Sequence, residues 1–251
     1  MPQILKQKQP KCCLLSSING LLHSPVMAET ILIERITTYK PDKIALAASI
    51  LLVLLNGVGL IGLSLSVLRP LFLLLVPAHL LITLLLLLLF QPVSRRFIAV
   101  ALLVIICGFA LEFIGVQTGI LFGEYWYGDA LGFKYLGIPL IMGPNWLLLA
   151  LGALNVGMKI SGNAVMQVII ASGLTTSLDL VMEQSAQKLD FWHWQNGQIP
   201  VQNYVAWFIA SLVFTGILRI GFPPGKNSLA LPVFGLQIVF FAALLIILRA
   251  E

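Results

Sequence analysis

Seven apolar stretches of about twenty residues set the limits on what this chain can fold into. They run from Ile44 to Leu68, Leu71 to Phe90, Phe97 to Gly115, Ile138 to Met158, Ala164 to Met182, Val201 to Ile220 and Ala230 to Leu248. Each is long enough to cross the roughly 30 Å hydrocarbon layer as an α-helix. In that layer every backbone polar group must be satisfied within the protein, so only helices and closed barrels can span it. Barrel strands would alternate apolar and polar residues over short segments, and no such alternation occurs. With 59% hydrophobic and only 10% charged residues, the 251-residue chain lacks the polar surface a soluble domain needs. The expected fold is all-α, a polytopic transmembrane bundle of about seven spans.

Basic residues at the span ends set the orientation, because cytoplasmic flanks are enriched in Lys and Arg. An N-in, C-out arrangement puts Arg35, Lys40, Lys43, Arg95, Arg96, Lys159, Arg219 and Lys226 inside. Arg69, Lys134, Lys188 and Arg249 then lie outside. The net charge of +5 is accounted for by these flanks and needs no nucleic-acid partner. Residues 1–43 read as a cytoplasmic tail with a short interfacial segment at Ile31–Tyr39, and residues 44–251 as the transmembrane domain. Met27 is an alternative start, which would remove Cys12 and Cys13 and leave Cys107 inside a span. The tail lacks the apolar run and cleavage site of a signal peptide.

Several motif-like features carry no chemistry. Gly57-Val58-Gly59-Leu60-Ile61-Gly62 matches a dinucleotide-binding pattern, but no strand precedes it and it lies in an apolar span. Small residues there suit close helix packing. His79, close to Pro77 in the second span, fits either a proton carrier or a histidine bonded to a neighbouring helix. Phosphate loops, nucleophile elbows, HExxH zinc motifs and paired Asp-rich diphosphate motifs are absent, and the cysteine spacing indicates neither metal nor disulfide.

The polar chemistry collects elsewhere. Six of the ten acids fall between positions 112 and 190: Glu112, Glu124, Asp129, Asp179, Glu183 and Asp190. The N-in topology puts all six in the outer half or outer loops of spans three to six. Glu112 shares a helical face with Gly108, Gly115 and Gly119, and Asp179 shares one with Thr175, Thr176, Glu183 and Ala186. An ionisable group inside a span is costly and marks a functional position by default. A carboxyl hydrogen-bonded to a neighbouring helix for packing alone is the structural alternative.

Two aromatic segments accompany the acids, Phe122-Gly123-Glu124-Tyr125-Trp126-Tyr127-Gly128 and Phe191-Trp192-His193-Trp194. Interfacial Trp and Tyr ordinarily form anchoring belts. An acid within the first segment, Glu124, and a histidine within the second, His193, favour a shared pocket rim. Each is followed by a proline-started segment with Trp seven residues on, Pro139 to Trp146 and Pro200 to Trp207, with Asn145 and Asn203 nearby. The order of acid-bearing helix, aromatic segment and Trp-bearing helix suggests a weak parallel duplication.

Gly115-Val116-Gln117-Thr118-Gly119 followed by Phe122 to Tyr127, then Gly137-Ile138-Pro139-Leu140 with Trp146, resembles the CruF-type carotenoid hydratases among the carotenoid biosynthesis proteins. Asp179 with Phe191 to Trp194, then Pro200, Asn203 and Trp207, extends the resemblance over about residues 100–210. The chain departs at Glu183-Gln184, where the resemblance leads one to expect Asp-Pro. The resemblance implies an integral membrane enzyme, of bacterial inner-membrane type, adding water across the terminal 1',2' double bond of an acyclic carotenoid end group. The implied substrate is a membrane-dissolved carotenoid of the lycopene or γ-carotene type, with other carotenoid-pathway enzymes as possible partners.

That reaction fits the residue types. Protonating a trisubstituted alkene gives a tertiary cation, which water then captures. A carboxyl shielded from water retains its proton more readily than one in solvent, and aromatic faces stabilise a passing cation. The reaction needs neither metal nor nucleotide, so no cofactor is expected. Asp179 is the candidate general acid and Glu112 its partner or water-orienting base, with Glu183 and His193 in reserve. Glu124, Tyr125, Trp126, Tyr127, Trp146, Trp192, Trp194 and Trp207 are the candidate substrate-binding residues, with Asn145 and Asn203 positioning water. Another carotenoid-tailoring step, or a lipid-binding or transport role, are the competing readings. Transport would favour inverted repeats with paired helix breaks, and the repeat here is parallel.

Overall fold

The computed structural model describes residues 42–221 and 227–249. The segment expected at Ile31–Tyr39, the alternative start at Met27, and Lys226 lie outside them.

Seven helices follow one another: α1 (Asp42–Ser64), α2 (Arg69–Leu89), α3 (Arg95–Thr118), α4 (Met142–Ile160), α5 (Ala164–Ala186), α6 (Val201–Gly221) and α7 (Ala230–Arg249). All seven expected helices are present, forming an all-α bundle. Six are long and apolar enough to cross a membrane, α4 being the exception. Its sequence opens on Met142-Gly143-Pro144-Asn145-Trp146 and carries Asn155 and Lys159 further along. It is also the helix most enclosed by the rest, buried almost without a break from Trp146 to Gly157. A central helix meets protein on every side and needs no uniformly lipid-compatible surface.

The peripheral helices show the opposite pattern. Leu54, Ile61, Leu74, Ile106, Val239 and Ile246 all project outward with at least 60% of their surface exposed. An apolar belt of this extent is unsuited to water. It is the surface an integral membrane protein presents to lipid.

Side-chain ties show that the helices from α3 to α7 alternate in direction. Arg219 near the end of α6 donates to Gln167 near the start of α5 at 2.6 Å, and Gln167 donates to the Ser161 carbonyl after α4 at 2.8 Å. At the opposite end, Lys188 beyond α5 donates to the Leu248 carbonyl near the end of α7. Gln202 at the start of α6 donates to the Ile120 carbonyl beyond α3.

This second end carries two small antiparallel ribbons. β1 (Tyr125–Tyr127), after α3, pairs with β4 (Trp192–Trp194), after α5. β2 (Lys134–Tyr135) pairs with β3 (Ile138–Pro139). The fourth apolar stretch therefore enters its helix later than the sequence suggests: Ile138 and Pro139 form strand pairs, and the helix starts at Met142. The glycines of the discounted dinucleotide pattern lie within α1; a methyl at Gly62 would overlap the Phe72 ring of α2 at 2.3 Å.

Candidate active site

The β1–β4 ribbon lies over the ends of α3 and α5, and its register decides which aromatics face the bundle. Tyr125 pairs with Trp194, Trp126 with His193 and Tyr127 with Trp192. Side chains alternate across a strand, so Tyr125, Tyr127, Trp192 and Trp194 point inward and are buried. Trp126 and His193 share the outer face, where their rings stack at 5.7 Å and Trp126 is 51% exposed.

Beneath the ribbon, each of two glutamates accepts from the inward pair on the strand that follows its own helix. Tyr125 and Tyr127 each donate a phenol O–H to Glu112 Oε2 at 2.6 Å, while Trp146 Nε1–H donates to Oε1 at 2.7 Å. Trp192 and Trp194 donate their indole N–H groups to Glu183 Oε2 at 3.0 and 2.9 Å, and Asn203 Nδ2 donates to Oε1 at 3.1 Å. The duplication suspected in the sequence thus has a chemical counterpart, with Glu112 on α3 matched by Glu183 on α5. Trp146 and Trp207, one from each half, pack with ring centroids 4.4 Å apart.

Asp179 lies one helical turn before Glu183. Its Oδ2 accepts from the same Asn203 Nδ2 at 2.9 Å, so one amide bridges the two carboxyls. Its Oδ1 is fully buried and has no partner among the described residues. Glu112, Asp179 and Glu183 all expose 3% or less of their surface. Glycines on the face of Glu112 admit its donors. A methyl at Gly108 would sit 2.8 Å from Trp146 Cβ, and one at Gly115 would sit 2.6 Å from the Phe122 ring.

Two cavities adjoin this cluster. The smaller, about 20 Å³, lies between Glu112 and Glu183 and is walled by Tyr125, Tyr127, Trp192, Trp194, Asn203 and Trp207. That is room for one water, with several polar groups to hold it. The larger, about 280 Å³, is mostly apolar and extends between α1, α2, α4 and α7. Met142 and Trp192 line both.

Most of the residues singled out in the sequence converge here. Glu112, Glu183, Tyr125, Tyr127, Trp192, Trp194, Asn203 and Trp207 wall the water-sized cavity, and Asp179 sits behind Asn203. Trp146 anchors Glu112, and Asn145 lines the apolar cavity along with His79. Glu124 is exposed, as is Trp126. His193 Nε2 lies 2.7 Å from Asp190 Oδ1, on the outer rim. Its distance from the buried acids follows from strand alternation, which reading the segment as a loop concealed. Met142 went unnoticed, because nothing separates it in sequence from the other apolar residues of its helix. Among the described residues, no group of three or more His, Cys, Asp or Glu is arranged to hold a metal ion.

The rim and ribbon have distinct electrostatics. Partial burial acts to raise the Asp190 pKa, but the bonds from His193 and from the Asp129 amide outweigh it and leave the group below its ordinary value. Burial raises the Tyr125 and Tyr127 phenols well above their ordinary value of 10.0, and the neighbouring Glu112 raises them further. Both therefore remain neutral donors at physiological pH. Their raised pKa stabilises the fold fully below pH 10.0, the unfolded value, and that contribution is lost as pH rises through the folded value. Absorbance titration of the folded protein should leave two tyrosines un-ionised above pH 10.0 until unfolding releases them. Ordinary titration of all five tyrosines would contradict this burial.

A lipid-exposed helical bundle with three carboxyls beneath a ribbon of aromatic donors defines a polytopic membrane protein with an interior polar site. The chain belongs to the carotenoid biosynthesis protein family, whose model matches residues 69–250. It is also similar to a bisanhydrobacterioruberin hydratase of Haloarcula japonica, at 30% identity over 141 residues. The match covers 53% of this chain and 48% of that relative, so the chain spans about half the relative's length. No solved structure matches the chain.

Proposed function

We propose that this protein is a carotenoid hydratase that adds water to the terminal 1',2' double bond of an acyclic end group of the lycopene or γ-carotene type. One observation carries the reading: two carboxyl groups face each other across a water-sized cavity that shares a wall with a larger apolar one. A hydratase needs a proton source, one water and a dry site for an alkene, and these are adjacent. The similarity to a bisanhydrobacterioruberin hydratase supports the same reaction class.

The proton resides on the Asp179–Glu183 pair. Glu183 receives three N–H donors and Glu112 receives three donors, whereas Asp179 Oδ1 has no partner among the described residues. Three negative charges with no cation bonded to them among the described residues would be strongly disfavoured inside the protein. Glu183 lines the cavity and Asp179 does not, so the pair delivers its proton through Glu183. The proton adds to the less substituted alkene carbon, leaving a tertiary cation bordered by Tyr125, Trp192 and Trp194. Water between the glutamates forms the new C–O bond and yields its proton to Glu112. Return of that proton to the pair resets the site, and the balance is alkene plus water to tertiary alcohol.

The chemistry asks for no cofactor. Under the N-in, C-out orientation the site lies in the outer half of a bacterial inner membrane, where other enzymes of the pathway could pass on their products. Expression in a bacterial host making lycopene or γ-carotene tests the reading. A carotenoid heavier by one water is expected, and unchanged carotenoid with well-inserted protein would sink it.

A further inference from the structure

We propose that the larger cavity is an end-on binding site for the last two five-carbon units of a linear isoprenoid, entered from the lipid between α1 and α2. This rests on the hydratase reading for the identity of the ligand. It adds where the ligand enters, how much of it is enclosed and what halts it.

The size fixes how much chain is held. A cavity of about 150 Å³ accepts a six-carbon ring. By proportion, about 280 Å³ takes roughly eleven carbons, close to two isoprene units. A forty-carbon polyene therefore cannot be enclosed, and the rest of it must project through an opening. That opening is marked by residues that both line the cavity and face outward: Val58 of α1, 56% exposed, and Leu75 and Ile82 of α2, 48% and 42% exposed. Ala78, also exposed and lining, lies between the last two, one turn from each. Pro77 lies inside α2 beside it, and a proline has no N–H to give to the preceding turn, which weakens the helix at the opening.

Met142 and Trp192 form the wall shared with the water-sized cavity. A chain pushed in from the lipid ends there, against the place where water is held. Met142 is thus a positioning residue that sets how far the terminal double bond reaches. A phospholipid would have to leave its head group outside and present a saturated tail to a cavity that adjoins carboxyls, a pairing with no chemical use. An alkene terminus at that point meets an acid and a water.

The test uses the full chain in cells making lycopene, with two readouts: the fraction of carotenoid hydrated, and lycopene retained by the detergent-purified protein. Ala78→Trp should lower both at least tenfold. Leu74→Trp, on a residue 76% exposed that does not line the cavity, should change neither by more than twofold. Ile82→Trp provides a second block at the same opening if Ala78→Trp does not fold. Blocked variants that keep retention and hydration within twofold of the starting protein overturn the portal, even where hydration itself confirms the reaction. Retention abolished by Ala78→Trp, with no hydration by any variant, keeps the portal and removes the hydratase reading. Retention of phospholipid in place of lycopene by the unaltered protein also overturns the proposal.

Discussion

Asp179→Asn is expected to lower hydration at least 100-fold, the lower end of what a positioned acid contributes, while the amount of folded, inserted protein stays the same. The substitution is structurally quiet for a specific reason. Asp179 Oδ2 accepts from Asn203, and an asparagine oxygen can accept the same bond at that position. Oδ1 has no partner to lose among the described residues, so the new amide nitrogen replaces an atom without a hydrogen bond there. What disappears is the ability to carry an exchangeable acidic proton. Glu183→Gln is the less selective counterpart. All the bonds made to Glu183 come from N–H donors, so an amide nitrogen there faces at least one donor and disturbs the ribbon as well. Hydrated carotenoid measured per inserted protein decides the matter. Full activity in Asp179→Asn would remove Asp179 from the acid role, and would leave Glu183 as the proton source if Glu183→Gln were inactive.

Glu112→Ala is expected to destabilise the protein by about 3–5 kcal/mol, one of the larger effects a single substitution can have. The loss arises less from the carboxyl than from what it leaves behind. Two buried phenols and the Trp146 indole all lose their acceptor together, and each stranded donor costs about 1–3 kcal/mol before relaxation or water entry reduces the sum. Denaturation in detergent measures the total. The origin is checked by combining Glu112→Ala with Tyr125→Phe and Tyr127→Phe. Removing the hydroxyls should be costly in the starting protein and close to neutral once Glu112 is gone, because contacting residues do not add. A loss below about 1 kcal/mol for Glu112→Ala would mean that these donors find other partners.

Much of the fold could be read directly because membranes make the sequence code coarse. Hydrocarbon thickness fixes span length, so the order and approximate limits of the seven helices follow from the apolar stretches alone. The same solvent makes buried acids conspicuous: Glu112, Asp179 and Glu183 stand out because so few charges occur among the spans. Which way a residue faces was harder to see. In a water-soluble helix the buried stripe is apolar and the outer face polar. Here Leu52, fully buried, and Leu54, 60% exposed, are the same residue type two positions apart. The apolar cavity, bounded by such residues, left no pattern to detect.

The sequence by itself determined an all-α membrane bundle, the spans that carry the acids, and the set of aromatics grouped with them, because each follows from transfer energetics of single residues or single segments. Tertiary structure decided the rest. It made α4 the enclosed helix, and it paired β1 with β4 so that Tyr125, Tyr127, Trp192 and Trp194 turn inward while Trp126 and His193 turn out. It also matched Glu112 with Glu183 across a space the size of one water, with Asp179 held one amide away. These features depend on strand register and on contacts between residues far apart in the chain, and no local property of the chain encodes such pairings.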